Sequence, residues 1–128
     1  MKTSNRLQHL ALRRITENSD LAEPLDLQTV WYARRFFQRL RGLLGRPALQ
    51  MDEGLLLSPC AQVHTFGMRY ALDVVFLDRR GQVLQCMVGL QPNRVAGKSG
   101  ARHTLEMASG SIARQALAVG DRLLWEVR

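Results

Sequence analysis

The chain has 128 residues, 46% of them hydrophobic, and a formal net charge of +7. That length suits one domain able to bury roughly two thirds of its unfolded surface without metal or disulfide support. Two cysteines, Cys60 and Cys86, do not make a secreted disulfide framework, although they could form a single bridge. No run reaches the ~18–20 apolar residues of a membrane helix, and no secretory signal is visible, so the expected setting is cytoplasmic with reduced thiols.

Residues 1–50 hold nine basic and four acidic residues, against nine and seven over 51–128, and sixteen of the eighteen cations are Arg. Arg's planar fork suits phosphate or carboxylate recognition, so weak nucleic-acid binding through the Arg-rich N-terminal half is one functional reading. Residues 1–26 read as an N-terminal arm, because the short helical face of Leu7, Leu10, Ala11, Leu12 and Ile15 is followed by the turn-like Glu17-Asn-Ser-Asp20, and because the stretch is polar and contains Pro24. Such an arm is expected to be tethered or mobile, ahead of a single β-rich domain over 27–128. Leu25 to Tyr32 reads as a short strand.

An amphipathic helix is predicted from Tyr32 to Leu44. Ala33, Phe36, Phe37, Leu40, Leu43 and Leu44 recur at helical spacing, and Gly45 and Pro47 supply the stop. Its other face carries Arg34, Arg35, Arg39 and Arg41, which is either an anion or partner surface or a solvated helix face.

From Gly54 onward the pattern is β. Gly54–Leu57 and Ala61–Phe66 are short strands separated by Ser58-Pro59. Arg69–Leu77 is the strongest, with Tyr70, Leu72, Val74 and Phe76 on one face and Ala71, Asp73, Val75 and Leu77 on the other; both faces are largely apolar, which demands cover on both sides. Asp78–Gly81 is a hairpin turn into a strand over Gln82–Leu90, and Gln91–Gly100 is a loop. Arg102–Ala108 is a further strand, with His103, Leu105 and Met107 opposite Thr104 and Glu106. Ser111 is the expected N-cap of a short helix through Leu117, and Gly120-Asp121 turns into a last strand, Arg122–Val127. The predicted fold class is mainly β, a compact antiparallel β-sandwich or partly open barrel with one docked N-terminal amphipathic helix and a short second helix.

Arg39-Leu-Arg-Gly-Leu-Leu-Gly45, Val63-His-Thr-Phe-Gly-Met68, Leu72-Asp-Val-Val-Phe-Leu-Asp78, Thr104-Leu-Glu-Met107 and Gly120-Asp121 follow in an order and spacing that resembles the family catalogued as domain of unknown function 192. The resemblance spans about Leu27 to the C-terminus and implies a small β-rich domain with no established activity. Many members of that family carry a signal or lipid anchor ahead of the domain and have Trp-Met-Lys-Asn-Thr where this chain has Phe66-Gly-Met-Arg-Tyr70.

Candidate chemistry concentrates between Cys60 and Asp73. A carboxyl group in an apolar strand needs hydrogen-bond partners, so Asp73 is expected to meet the amides of the Thr65–Met68 turn, the Thr65 hydroxyl or an Arg. His64 is either a cleft-facing imidazole or a structural one. Cys60, His64, Cys86 and His103 are zinc-competent donors, but their spacing matches no finger, ribbon or knuckle, so no metal is assigned. Gly97-Lys-Ser-Gly100 lacks the glycine spacing of a phosphate loop, and no cofactor is expected. The leading functional expectation is a non-catalytic binding or accessory module whose cleft uses His64, Thr65, Phe66, Met68 and Asp73 to hold a small molecule or a protein segment. The alternative is a hydrolase-like or thiol-dependent enzyme built on Cys60, His64 and Asp73.

Overall fold

The computed structural model describes residues 7–35, 38–39 and 42–128. Ten strands and one short helix are defined among them: β1 (Gln8–Ile15), β2 (Glu23–Pro24), β3 (Thr29–Ala33), β4 (Glu53–Leu57), β5 (Gln62–His64), β6 (Leu72–Leu77), β7 (Val83–Leu90), β8 (Val95–Gly97), β9 (His103–Ala108), α1 (Ser111–Gln115) and β10 (Arg122–Val127). The main sheet runs β10-β1-β3-β4-β9-β6-β7, with β2 paired to β1, and β5 and β8 form a separate two-stranded sheet.

The main sheet curls into an open half-barrel. Its end strands approach at their first residues, where Gln82 bridges Arg122. There the Leu123 N–H donates to the Gly81 carbonyl at 2.8 Å and the Val83 N–H to the Asp121 carbonyl at 2.7 Å. Gly81 is required at this seam: its φ is +87°, and a Cβ there would lie 2.3 Å from the Leu123 carbonyl oxygen.

Period-2 alternation sorts the strand residues onto two sides. Leu10, Val30, Leu56, Val75, Val83, Leu105 and Leu123 belong to one buried cluster that draws on all seven strands of the curl, and so fills its inside. Leu55, Leu57, Leu72, Val74 and Phe76 form a second cluster on the outside, covered by Leu43, Leu49, Val63 and Ala96. Burying each such Leu or Val contributes about 1.5–3 kcal/mol. The two apolar faces predicted for β6 are therefore both real, and each has its own cover.

Several expectations are corrected. Residues 8–15, read as part of an arm, form β1 at the centre of three pairings, with β10, β2 and β3. The arm's end is also held: the Asp26 N–H donates to Gln115 Oε1 at 3.0 Å, and Gln115 Nε2 donates to the Asp26 carbonyl at 2.9 Å.

Among the described residues of 32–44 the long amphipathic helix is not found. Tyr32 and Ala33 are strand residues, because parallel pairing with Leu56 and Leu57 outweighs their local preference. Gln38 and Arg39 are helical, the Arg39 N–H bonding the Arg35 carbonyl and the Gly42 N–H the Gln38 carbonyl, while residues 42–45 form turns. Phe36, Phe37, Leu40 and Arg41 lie outside the described residues.

The β3/β4 pair is parallel, unlike the antiparallel arrangement expected throughout, and a parallel pair requires a crossover. Residues 34–52 supply it, and through Leu43 and Leu49 the crossover shares the cover of the outer face with Val63 and Ala96. The loop expected at 91–100 contains β8, which pairs with β5 through Val63 and Ala96. No helix among the described residues is long and apolar enough to cross a membrane.

Candidate functional site

A cleft of about 420 Å³ lies between the crossover and β5 on the outer face of the half-barrel. Leu43, Leu57, Val63, Leu72 and Met68 make its walls apolar, and Cys60, His64, Phe66, Arg39 and Glu106 supply the rest of its chemistry. His64 and Phe66 are exposed and stacked at its edge, ring centroids 5.4 Å apart and planes 26° from parallel. Phe66 is 52% exposed despite that stacking, which leaves an aromatic surface at the cleft edge.

Three of the five residues predicted for the cleft line it: His64, Phe66 and Met68. Thr65 is buried and structural. Its Oγ1 donates to the Gln91 carbonyl at 2.7 Å and accepts the Arg94 N–H at 2.9 Å, fastening the segment after β5 to the segment before β8.

Asp73 is on the wrong side of the sheet. Leu72 and Val74 face the cleft side, so alternation sends Asp73 inward with Val75 and Leu77. Its partners are not the Thr65–Met68 turn, Thr65 or an Arg. Oδ1 accepts the Gly89 N–H at 2.9 Å, and Oδ2 accepts the Gly110 and Ile112 N–H groups at 3.1 and 2.9 Å. A bulge in the β6/β7 pairing between Leu72 and Val74, with Gly89 at φ +64°, frees the first of these amides. The other two belong to the start of α1. Gly110, at φ +97°, is its N-cap and has no side chain to offer, so a distant carboxyl group caps the helix where Ser111 was expected to.

This placement removes the geometry of the proposed enzyme: Cys60 and His64 border the outer cleft, whereas Asp73 is wholly buried against the inner face. The Cys60 thiol donates to the Gln62 carbonyl at 3.2 Å, and burial pushes its pKa up, which disfavours a nucleophilic thiolate. The four zinc-competent residues are also dispersed. Cys60 and Cys86 are free and pack on opposite faces, and His103 Nδ1 is 2.6 Å from Ser58 Oγ. Of the predicted Arg surface, Arg34 and Arg35 are exposed. Arg39 instead borders the cleft, with Nη1 donating to the Pro59 carbonyl at 2.9 Å.

Glu106 is the residue that the sequence reading passed over. It stands opposite Leu55 of β4 and Val74 of β6, so it projects among the apolar residues of the outer face. It is 6% exposed and has no hydrogen bond or ion pair to a described residue; its oxygens are not among the fully buried atoms left without a partner, so they keep an opening onto the cleft. Burial alone pushes its pKa up to about 7. Its charge also helps to raise the pKa of Tyr70, after the larger effect of burial, and the Tyr70 hydroxyl is itself buried without a hydrogen-bond partner among the described residues. The available signal was the one applied to Asp73, an acid in a strand with apolar residues on both faces.

A second hollow of about 500 Å³ lies beyond Leu43, lined by His9, Trp31, Leu49 and Leu55 among others. Its one acid, Glu53, accepts the Gln50 N–H at 2.7 Å and so is already partnered. Of these two, only the first cleft has in its described lining an acid without a hydrogen-bond partner among the described residues.

The profile of the DUF192 family, described as Uncharacterized ACR, COG1430, matches residues 16–125. A UPF0127 protein of Thermococcus sibiricus is 30% identical over 107 residues, covering 77% of this chain and 70% of that protein. A UPF0127 protein of Pyrococcus furiosus is 36% identical over 100 residues, covering 75% and 85%. A crystal structure from Sinorhizobium meliloti 1021, named there as a candidate transcription regulator, superposes with a TM-score of 0.77 at 22% identity, covering 92% of this chain and 93% of that one. At that identity the likeness establishes the fold.

Proposed function

The chain belongs to the DUF192 family, whose function is not established, and we propose that it is a non-catalytic accessory module holding a small ligand or peptide in the cleft between the crossover and β5. One observation carries this reading: an apolar cleft of ligand-holding size whose lining includes a buried acid with no partner in the described protein. A ligand donor would satisfy that acid, while the exposed His64–Phe66 pair would cover a flat or hydrocarbon part of the same molecule.

Methionine methyl NMR tests the proposal, because Met68 borders the cleft while Met107 is buried in the inner cluster. Titration with 2-phenylethylamine and, separately, 2-phenylethanol is expected to shift the Met68 signal saturably for at least one probe while leaving Met107 in place. Phe66→Ala is expected to weaken that shift without lowering stability by more than about 0.5 kcal/mol, since the ring is largely exposed. A Met68 signal unmoved by both probes at millimolar concentration would refute the reading.

A further inference from the structure

We propose that Glu106 makes this cleft a site for organic ammonium groups, a protonated amine on an apolar body, as found on a small amine or a lysine side chain. This rests on the cleft-binding reading above and names the ligand chemistry. A neutral donor would satisfy the Glu106 oxygens by hydrogen bonding alone. A protonated amine satisfies them and also compensates the charge that burial makes unfavourable.

The surroundings favour the same class. The neighbours of Glu106 across the sheet, Leu55 and Val74, carry no charge, and the walls at Leu57, Val63, Leu72 and Met68 suit a hydrocarbon stem. Among the described residues, the other ionisable or charged groups near the acid are Cys60 and Tyr70, both of which feel its charge, and Arg39 and His64, which border the cleft. The Tyr70 hydroxyl, without a partner among the described residues, is a second polar group that an amine nearby could engage.

The test compares 2-phenylethylamine with 2-phenylethanol at pH 8.5 and 5.5, using the Met68 signal and calorimetry. At pH 8.5 the amine is expected to bind at least about tenfold more tightly than the alcohol, the scale of a charge-assisted over a neutral hydrogen bond. With the Glu106 pKa at about 7, its ionised share falls to about 3% at pH 5.5, so amine affinity is expected to drop about 30-fold. Alcohol affinity should change less than about twofold.

Glu106→Gln is expected to abolish both the preference and the pH dependence. His64→Gln is expected to retain the pH dependence whatever its affinity, which separates the acid from the imidazole. A blocked peptide, acetyl-Gly-Lys-Gly-amide, distinguishes the sources: binding with the same pH profile assigns the amine to a peptide side chain, and its failure where phenylethylamine succeeds assigns it to a free small amine.

Equal binding of amine and alcohol by the wild type at pH 8.5, or a Glu106→Gln protein that keeps the preference, would overturn the ammonium assignment while leaving cleft binding intact. Silence of Met68 toward every probe would overturn both. If Glu106→Gln fails to fold, the amine-over-alcohol preference and pH profile of His64→Gln still decide the matter.

Discussion

Replacing Asp73 should destabilise the fold while leaving the cleft in working order, because its carboxyl group serves three backbone amides on the inner face. Ala at 73 would orphan the N–H groups of Gly89, Gly110 and Ile112, now bonded at 2.9, 3.1 and 2.9 Å. An unsatisfied buried donor costs about 1–3 kcal/mol, and partial water entry relieves some of it, so a loss of about 3–5 kcal/mol is expected for Asp73→Ala. Asn keeps one acceptor. If its oxygen serves Gly110 and Ile112, its NH2 faces the Gly89 N–H, donor against donor, for an expected loss of about 1–3 kcal/mol. Urea unfolding followed by circular dichroism measures both, with the slope of the transition reporting whether the unfolded reference has changed. Hydrogen exchange should accelerate first at Gly110 and Ile112 in the Asn variant, because the cap of α1 is the part left incomplete. A loss below about 1 kcal/mol for Asp73→Ala would refute the reasoning, as would loss of cleft-probe binding in a folded Asn variant.

Three further outcomes are expected. Glu106 holds its proton more tightly folded than unfolded, so its contribution is most favourable below about pH 4.5 and is lost as pH rises through about 7. The full span is about 3 kcal/mol, and Glu106→Gln should gain that much on the wild type between pH 4.5 and 8; parallel pH-dependent unfolding curves for the two proteins would contradict this. Gly81→Ala should cost about 2–4 kcal/mol, through its left-handed backbone and the Leu123 carbonyl 2.3 Å from the new Cβ, whereas Gly89→Ala, with nothing within 4 Å, should cost about 1–2 kcal/mol. Equal melting temperatures for the two glycine variants would remove the seam argument. His103 has its pKa lowered, chiefly by burial, so its neutral form is favoured in the fold and its contribution falls as pH drops below its unfolded value near 6.5. His103→Gln should flatten that acid-side fall, and urea midpoints at pH 5 and 7.5 will show whether it does.

Where strand patterning was strong, the sequence was informative well beyond fold class. The alternation of Leu72-Asp-Val-Val-Phe-Leu77 identified a strand apolar on both faces, and the two clusters at Val75 and at Val74 are those faces. The turn at Asp78–Gly81 and the strand after Gly120-Asp121 were legible because turn residues act locally. Local preference misled where pairing was distant: Tyr32 and Ala33 continue a helical pattern in the sequence but are captured by β4, more than twenty positions away. The motif from Val63 to Met68 located the edge of the cleft, yet Thr65 within it is spent on holding two loops together.

The two acids mark the boundary between what is local and what is not. Period 2 alone requires Asp73 to face away from Leu72 and Val74, and Glu106 to face away from Leu105 and Met107, so their placement on strand faces follows from sequence. Which face would become the inside of a curl, and what would cover the other, depends on the β3/β4 crossover and the Gln82–Arg122 seam, which join residues far apart in the chain. Only that tertiary arrangement gives Asp73 three amides and leaves Glu106 with none among the described residues, because a buried acid's partners come from whatever packs across from it.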